Sequence, residues 1–238
     1  MSYGINGQTY IYHFLFRDGS RKLFHITLDS TAHYRNTGQG VCPEWTRLAH
    51  NRCPDCRLRD EAASHCPVAV NIADLVAAFH DIVSYDNCTV SCVSADRTVS
   101  KETHAQDGLR SIMGIIMATS GCPSLDILRP MAWFHLPFAS VDESLFRSAS
   151  TYLLSQYFQA RLGNTPDFSL DRIREHYRYV EQVNHSILER IRQAAELDAD
   201  RNAIVILNSL SQILSMEVDS GLEGLRPLFC QAGAPGGA

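Results

Sequence analysis

Cys53-Pro54-Asp55-Cys56, followed ten residues later by Cys66-Pro67, constrains this chain more than any other stretch. The segment between them, with Arg57, Arg59, Asp60, Glu61 and His65, carries little apolar material, so hydrophobic burial alone does not organise it. Two cysteines with two residues between them can present both thiolates to one ion from a tight turn. Cys66 opens a helix, whose positive dipole end favours a thiolate. Three such ligands need a fourth to close a tetrahedral structural site. By distance along the chain the candidates are Cys42, His50 and His65. By local chemistry there is Cys122-Pro123, which repeats the Cys-Pro dipeptide of Cys53 and Cys66. A structural ion can contribute on the order of 10 kcal/mol to folding, enough to order such a loop. Zinc is the default for thiolate-rich tetrahedral sites, and four thiolates also suit an iron–sulfur cluster. The competing readings are reduced cysteines with no ion and a Cys53/Cys56 redox disulfide. The second lacks the strand-then-helix setting of a thioredoxin-like motif.

The chain around this cluster is ordinary in composition. Of its 238 residues 45% are hydrophobic and 20% charged, which excludes wholesale disorder. It has 26 acidic against 21 basic residues, a net charge of −5, which argues against a nucleic-acid partner held by a broad basic face. No apolar run approaches the roughly 18 residues of a membrane span. Met1–Gly7 lacks the basic-then-apolar build of a signal peptide. A cytoplasmic protein is expected, with neither membrane nor nucleic acid as partner. In that compartment its eight cysteines stay reduced, which favours ligation over disulfides.

The fold class read from the pattern is α+β: a small antiparallel sheet with a cysteine-rich metal knuckle, followed by a helical bundle. Gln8–Phe16 and Lys22–Leu28 alternate as strands around an Asp18-Gly19 turn, and Thr89–Val93 with Arg97–Lys101 make a second hairpin. Pro67 suits a first helical position, and Val68, Ile72, Leu75, Val76 and Phe79 follow at helical spacing. From Asp107 the pattern is helical almost to the end. Leu109–Met117 forms one stripe closed by Gly121. Ser140-Val141-Asp142-Glu143 is a capping box for a helix ended by Gly163-Asn164, and its Tyr152–Phe158 stretch reads as core. The longest helix, about Leu170 to Glu196, carries a heptad row: Ile173, Tyr177, Val180, Asn184, Ile187, Ile191 and Ala194. A short Asp198-Ala199-Asp200 turn then implies an antiparallel helical hairpin. The expected division is residues 1–106, hairpins plus cysteine segment and one helix; 107–230, the bundle; and 231–238, a frayed tail. Nothing between residues 101 and 108 resembles a flexible linker, so the two parts can share one core.

The runs Trp45-Thr46-Arg47-Leu48, Cys53-Pro54-Asp55-Cys56-Arg57-Leu58 and His65-Cys66-Pro67-Val68-Ala69 resemble those of an uncharacterised bacterial family, a domain of unknown function. So do Thr119-Ser120-Gly121-Cys122-Pro123, Arg129-Pro130-Met131, His135-Leu136-Pro137-Phe138 and Tyr152–Tyr157. The similarity spans most of the chain. The family pattern has Cys-Pro-x-Cys-Pro-Leu, whereas Arg57 stands here in place of the second proline. The resemblance implies Cys53, Cys56, Cys66 and Cys122 as the cysteine set, with Cys42 particular to this sequence, and it implies no known activity.

Other constellations point to weaker functions. Cys122, His135, Asp126 and Glu143 contain the residue types of a cysteine-dependent enzyme, although His135 between Phe134 and Leu136 also suits a satisfied core histidine. His80, His104 and His135 lack the spacing of a second metal site. Arg172, Arg174, Arg178, Arg190 and Arg192 lie among Glu175, Glu181 and Glu189, a pattern of a solvated, salt-bridged face. Asn184 in the apolar row is of the kind that fixes helix register or dimer pairing. The expectation is therefore a metal-binding protein with an interaction or sensory role, a homo-oligomer through its helical hairpin. Zinc is held by Cys53, Cys56, Cys66 and Cys122. The alternatives are an iron–sulfur redox sensor in the same cysteines and an enzyme using Cys122 and His135.

Overall fold

Alternation of aromatic and polar residues builds the first strand and decides which side of it faces inward. In the computed structural model, which describes residues 7–35, 42–58, 63–79, 81–194 and 199–229, β1 (Gln8–Phe16) buries Tyr10, Tyr12, Phe14 and Phe16 on one face. It turns at Gly19, whose φ of +86° suits the hairpin, into β2 (Arg21–Leu28). β3 (Asn87–Val93) pairs with the other edge of β1, and β4 (Thr98–His104) closes the sheet in the order β2-β1-β3-β4, antiparallel throughout. The second hairpin is longer than its side-chain pattern suggests. Its register continues to Asn87 opposite His104, past the last apolar alternation, because α2 starts at once with Ala105 and anchors that end.

Helices α1 (Pro67–Phe79) and α2 (Ala105–Ala118) cover the buried face. Phe79 meets Phe14 edge-on at 5.0 Å and Phe24 at 5.2 Å. Gly108 lets α2 close on the sheet, since a Cβ there would stand 2.5 Å from the Phe14 ring. After the short α3 (Arg129–Trp133), the Ser140 capping box starts α4 (Val141–Arg161): the Ser140 hydroxyl accepts from the Glu143 amide, and the Glu143 carboxylate accepts from the Ser140 amide. α5 (Ile173–Ala194) and α6 (Ala199–Asp219) form the helical hairpin. The buried cluster runs from Tyr10 to Leu225, so sheet and bundle contribute to one core. The α+β class with an antiparallel sheet and a following bundle is what the pattern implied. Among the described residues no helix is long and apolar enough to cross a membrane.

Three details depart from the pattern. Ala199 and Asp200 begin α6 instead of forming a turn; Asp198, the tail 231–238 and His80 lie outside the described residues. The α5 row is spent inside the chain: Ile173, Tyr177, Val180, Ile187 and Ile191 are buried, and the Asn184 amide donates to Ser211 of α6 at 3.2 Å. The side of α4 that packs inward is Leu145, Ser148, Ala149, Tyr152 and Gln156. That leaves Leu154, Tyr157, Phe158 and Leu162 exposed, so the Tyr152–Phe158 stretch is core only in part.

The α4–α5 junction is polar and buried. Asp167 accepts from the Tyr152 hydroxyl at 2.6 Å, from the Arg172 amide at 2.8 Å and from the Ser169 hydroxyl at 2.9 Å. Burial pushes its carboxyl up, and these donors outweigh burial and hold it at about 2, below its ordinary 3.8. A carboxylate with a lowered folded value stabilises the fold above its unfolded value and loses that contribution as pH falls through the folded one. Urea midpoints of the native protein should therefore drop between about pH 4 and pH 2. Asp167→Asn should be less stable at neutral pH and show a flatter fall over the same window.

Candidate metal centre

The cysteine segment is set in place by backbone pairing and by α5. The Cys66 amide donates to the Thr46 carbonyl at 2.8 Å and the Leu48 amide to the Ser64 carbonyl at 2.9 Å, so residues 46–48 lie alongside 64–66. Cys66 caps α1, its carbonyl accepting from the Val70 amide. The Cys53–Cys56 turn closes with the Cys56 amide on the Cys53 carbonyl at 3.2 Å. Polar contacts hold that turn on α5. Asp55 and Gln182 exchange two hydrogen bonds, the Arg57 guanidinium lies 4.1 Å from the centre of the Tyr179 ring, and the Ser186 hydroxyl donates to the Asn51 carbonyl. Polar contacts thus add to the packing of Leu48, Cys53, Cys56 and Leu58 on the core in ordering this loop.

Cys53, Cys56, Cys66 and Cys122 line one cavity of about 20 Å³, room for a single water or small ion. Cys122 reaches it from the turn after α2, where Gly121 has a φ of +82°. Cys42 is exposed, and neither it nor His50 or His65 lines this cavity. The sulfurs are not drawn together to ligand spacing. Among the described residues no group of three or more His, Cys, Asp or Glu side chains could hold an ion as placed, and the described cysteines are free thiols. Burial pushes the Cys122 thiol up to about 12 and raises that of Cys53 as well.

Arg190 lines the same cavity, and the charge pattern did not single it out. It is 1% exposed, in contrast to the solvated face its acidic neighbours suggested. Its Nη1 donates to the carbonyls of Trp45 at 2.6 Å and Arg47 at 2.8 Å, and Nη2 to that of Leu48 at 3.4 Å. Nε is buried without a partner, and among the described residues no carboxylate pairs with this cation. Burial lowers its pKa, and the nearby sulfurs of Cys66, Cys53 and Cys56 oppose that shift. The other arginines do behave as a solvated face: Arg174, Arg178 and Arg192 pair with Asp219, Asp55 and Glu189 at the surface, and Arg172 reaches in from solvent to the buried Asp167.

The enzyme constellation is not assembled. His135 lines a different cavity from Cys122, and its Nε2 lies 2.6 Å from the Tyr12 hydroxyl. Burial, aided by Arg147, holds that imidazole at about 3, hence neutral. Glu143 is used in the α4 cap, and Asp126 lies beside Arg129. A buried Cys122 thiol with a raised pKa is the opposite of an activated nucleophile.

A family model described as a domain of unknown function (DUF6901) matches residues 10–230. The chain belongs to this family. No curated protein and no solved structure matches it. The matched span of the DUF6901 chain takes in the whole cavity, from Leu48 to Arg190.

Arg190 is the clasp between α5 and residues 45–48. Arg190→Leu would take the guanidinium donor from the carbonyls of Trp45 and Leu48, each worth about 1–3 kcal/mol when buried, and leave that of Arg47 with the His50 amide alone. The amides of Leu48 and Cys66 should then exchange with solvent at least about tenfold faster, while those of β1 keep their protection; equal exchange in the variant would remove this role.

Proposed function

We propose that Cys53, Cys56, Cys66 and Cys122 hold one structural zinc ion that fastens the cysteine loop to the α2 end and to α5. The observation that carries this is the convergence of cysteines from three separate chain segments on one ion-sized cavity beside a buried arginine with no carboxylate. Zinc on four thiolates carries two negative charges, and such a counter-charge offsets the cost of burying a cation. Arg190 supplies the positive partner. The sulfurs reach ligand spacing by side-chain rotation, giving up the thiol protons that burial otherwise favours. A closed set of four thiolates leaves no open position for substrate, so the ion serves stability and shape. An iron–sulfur cluster in the same cysteines is the second reading, and the cavity of about 20 Å³ favours a lone ion over it. On this reading the protein is an interaction or sensory module, with self-association through the exposed apolar side of α4. The hairpin row is already buried within the chain.

Elemental analysis of protein purified without chelator should give about one zinc per chain and no visible absorption. Several irons with a broad band near about 400 nm would replace zinc with the cluster. Absence of both metals would overturn the proposal. Cys53→Ser, Cys66→Ser and Cys122→Ser should each release the ion and lower the melting temperature, whereas Cys42→Ser should do neither. In sedimentation, Leu154→Glu with Phe158→Glu should shift the protein to monomer; a wild type already monomeric at high concentration would remove the self-association.

A further inference from the structure

A second, larger cavity of about 170 Å³ lies among α2, α3, α4, α5 and α6, and the cysteine chemistry makes no use of it. Much of its wall is apolar, including Ile115, Leu125, Leu128, Met131 and Leu136. Two arginines, Arg110 and Arg147, also line it, and among the described residues no carboxylate does. Neither arginine forms an ion pair among the described residues. Arg147 is held in place, its Nη2 donating to the carbonyls of Met131 at 2.7 Å and Phe134 at 2.8 Å. His135, the one imidazole among the residues that line the cavity, is buried and engaged with Tyr12.

Gly114 gives this space an independent mark. Glycine inside a helix costs about 1 kcal/mol relative to alanine. In α2 the first such glycine, Gly108, is explained by packing, since a Cβ would strike Phe14. At Gly114 a Cβ would meet nothing within 4 Å, and Gly114 lines the cavity one turn from Arg110 and one turn from Ala118. The missing side chain serves no packing; it leaves the cavity open.

We propose that this cavity binds a small organic carboxylate with an apolar body, its charge met by Arg147 and Arg110 and its body by the leucine-rich wall next to Gly114. An apolar cavity of about 150 Å³ takes up benzene, so this one has room for an aromatic ring on a short acid arm. Two cations with no carboxylate on the cavity wall select the anion, Glu143 acting on Arg147 only from outside it, because a neutral analogue would leave the same guanidinium groups desolvated and unmatched.

The test is calorimetric titration of the full chain with benzoate, phenylacetate and 3-phenylpropionate, each against its neutral amide, with acetate as the headgroup alone. At least one aryl acid should bind ten times or more tightly than its amide and than acetate. Arg110→Met and Arg147→Met should each erase the acid-over-amide preference. Gly114→Leu should abolish binding while the melting temperature holds or rises, which separates a filled cavity from a misfolded protein. The proposal fails if no acid saturates the protein below 10 mM, if amides bind as tightly as acids, or if folded Gly114→Leu binds like wild type. None of these readouts measures the metal, so the proposal stands or falls apart from the zinc assignment.

Discussion

A guanidinium buried without a carboxylate sets the terms for the rest of this molecule. Arg190 holds the carbonyls of Trp45, Arg47 and Leu48 from the far side of the core. Residues 46–48 in turn fix 64–66 by backbone pairing, and Cys66 starts the helix that covers the sheet. Taking a cation out of water costs several kcal/mol, and three carbonyl dipoles return part of that. The remainder calls for a negative neighbour, and the side chains beside it that can supply one are the sulfurs of Cys66, Cys53 and Cys56. The fold therefore makes more electrostatic sense with thiolates than with thiols in that cavity, which links the packing of α5 to the proposed chemistry of the loop.

Much of this was legible in the sequence wherever one element declares itself. The alternation Tyr10, Tyr12, Phe14, Phe16 states both strand and inward face, and the capping box states where α4 begins. The row from Ile173 to Ile191 states a buried helix side, because every fourth and third residue must share a face. Legibility failed where two surfaces had to be compared. The α4 stretch has apolar residues all round, and periodicity alone cannot say that the core takes the side with Ser148, Ala149 and Gln156 while Phe158 faces out. Arg190 was hidden for a related reason. Its neighbours Glu189 and Arg192 suggest solvent, yet Val183 and Arg190, seven residues apart, lie on one helix side that borders the heptad seam at Ile187, and that spacing was the available signal.

The cysteines show the same division. The spacing of Cys53, Cys56 and Cys66 pointed to a common ion, and the choice of a fourth partner rested on a repeated dipeptide and a resemblance. Cys122 does line the cavity with the other three, whereas Cys42, nearer along the chain, is exposed. Sequence distance was the weaker guide because the turn after α2 returns to the start of α1, a tertiary fact that no local pattern encodes.

The two cavities share a wall. Val180 and Asn184 of α5 face the larger one, and Val183, Ile187 and Arg190 one turn on face the smaller. The turn after α2 divides likewise, with Cys122 and Ser124 on the cysteine side and Leu125 on the apolar side. An ion that drew Cys122 toward Cys53 and Cys56 would act on the backbone that carries Leu125. Conversely, a ligand that favours one placement of Leu125 favours one placement of Cys122, since coupling between sites is reciprocal. The size of that coupling is limited by how differently each ligand binds the two placements of the turn. A rigid wall held by Arg190 makes the difference small and the apolar cavity preformed. A wall that closes only around the ion would make organic-anion affinity depend on metal content, and this is the arrangement in which one fold could sense both.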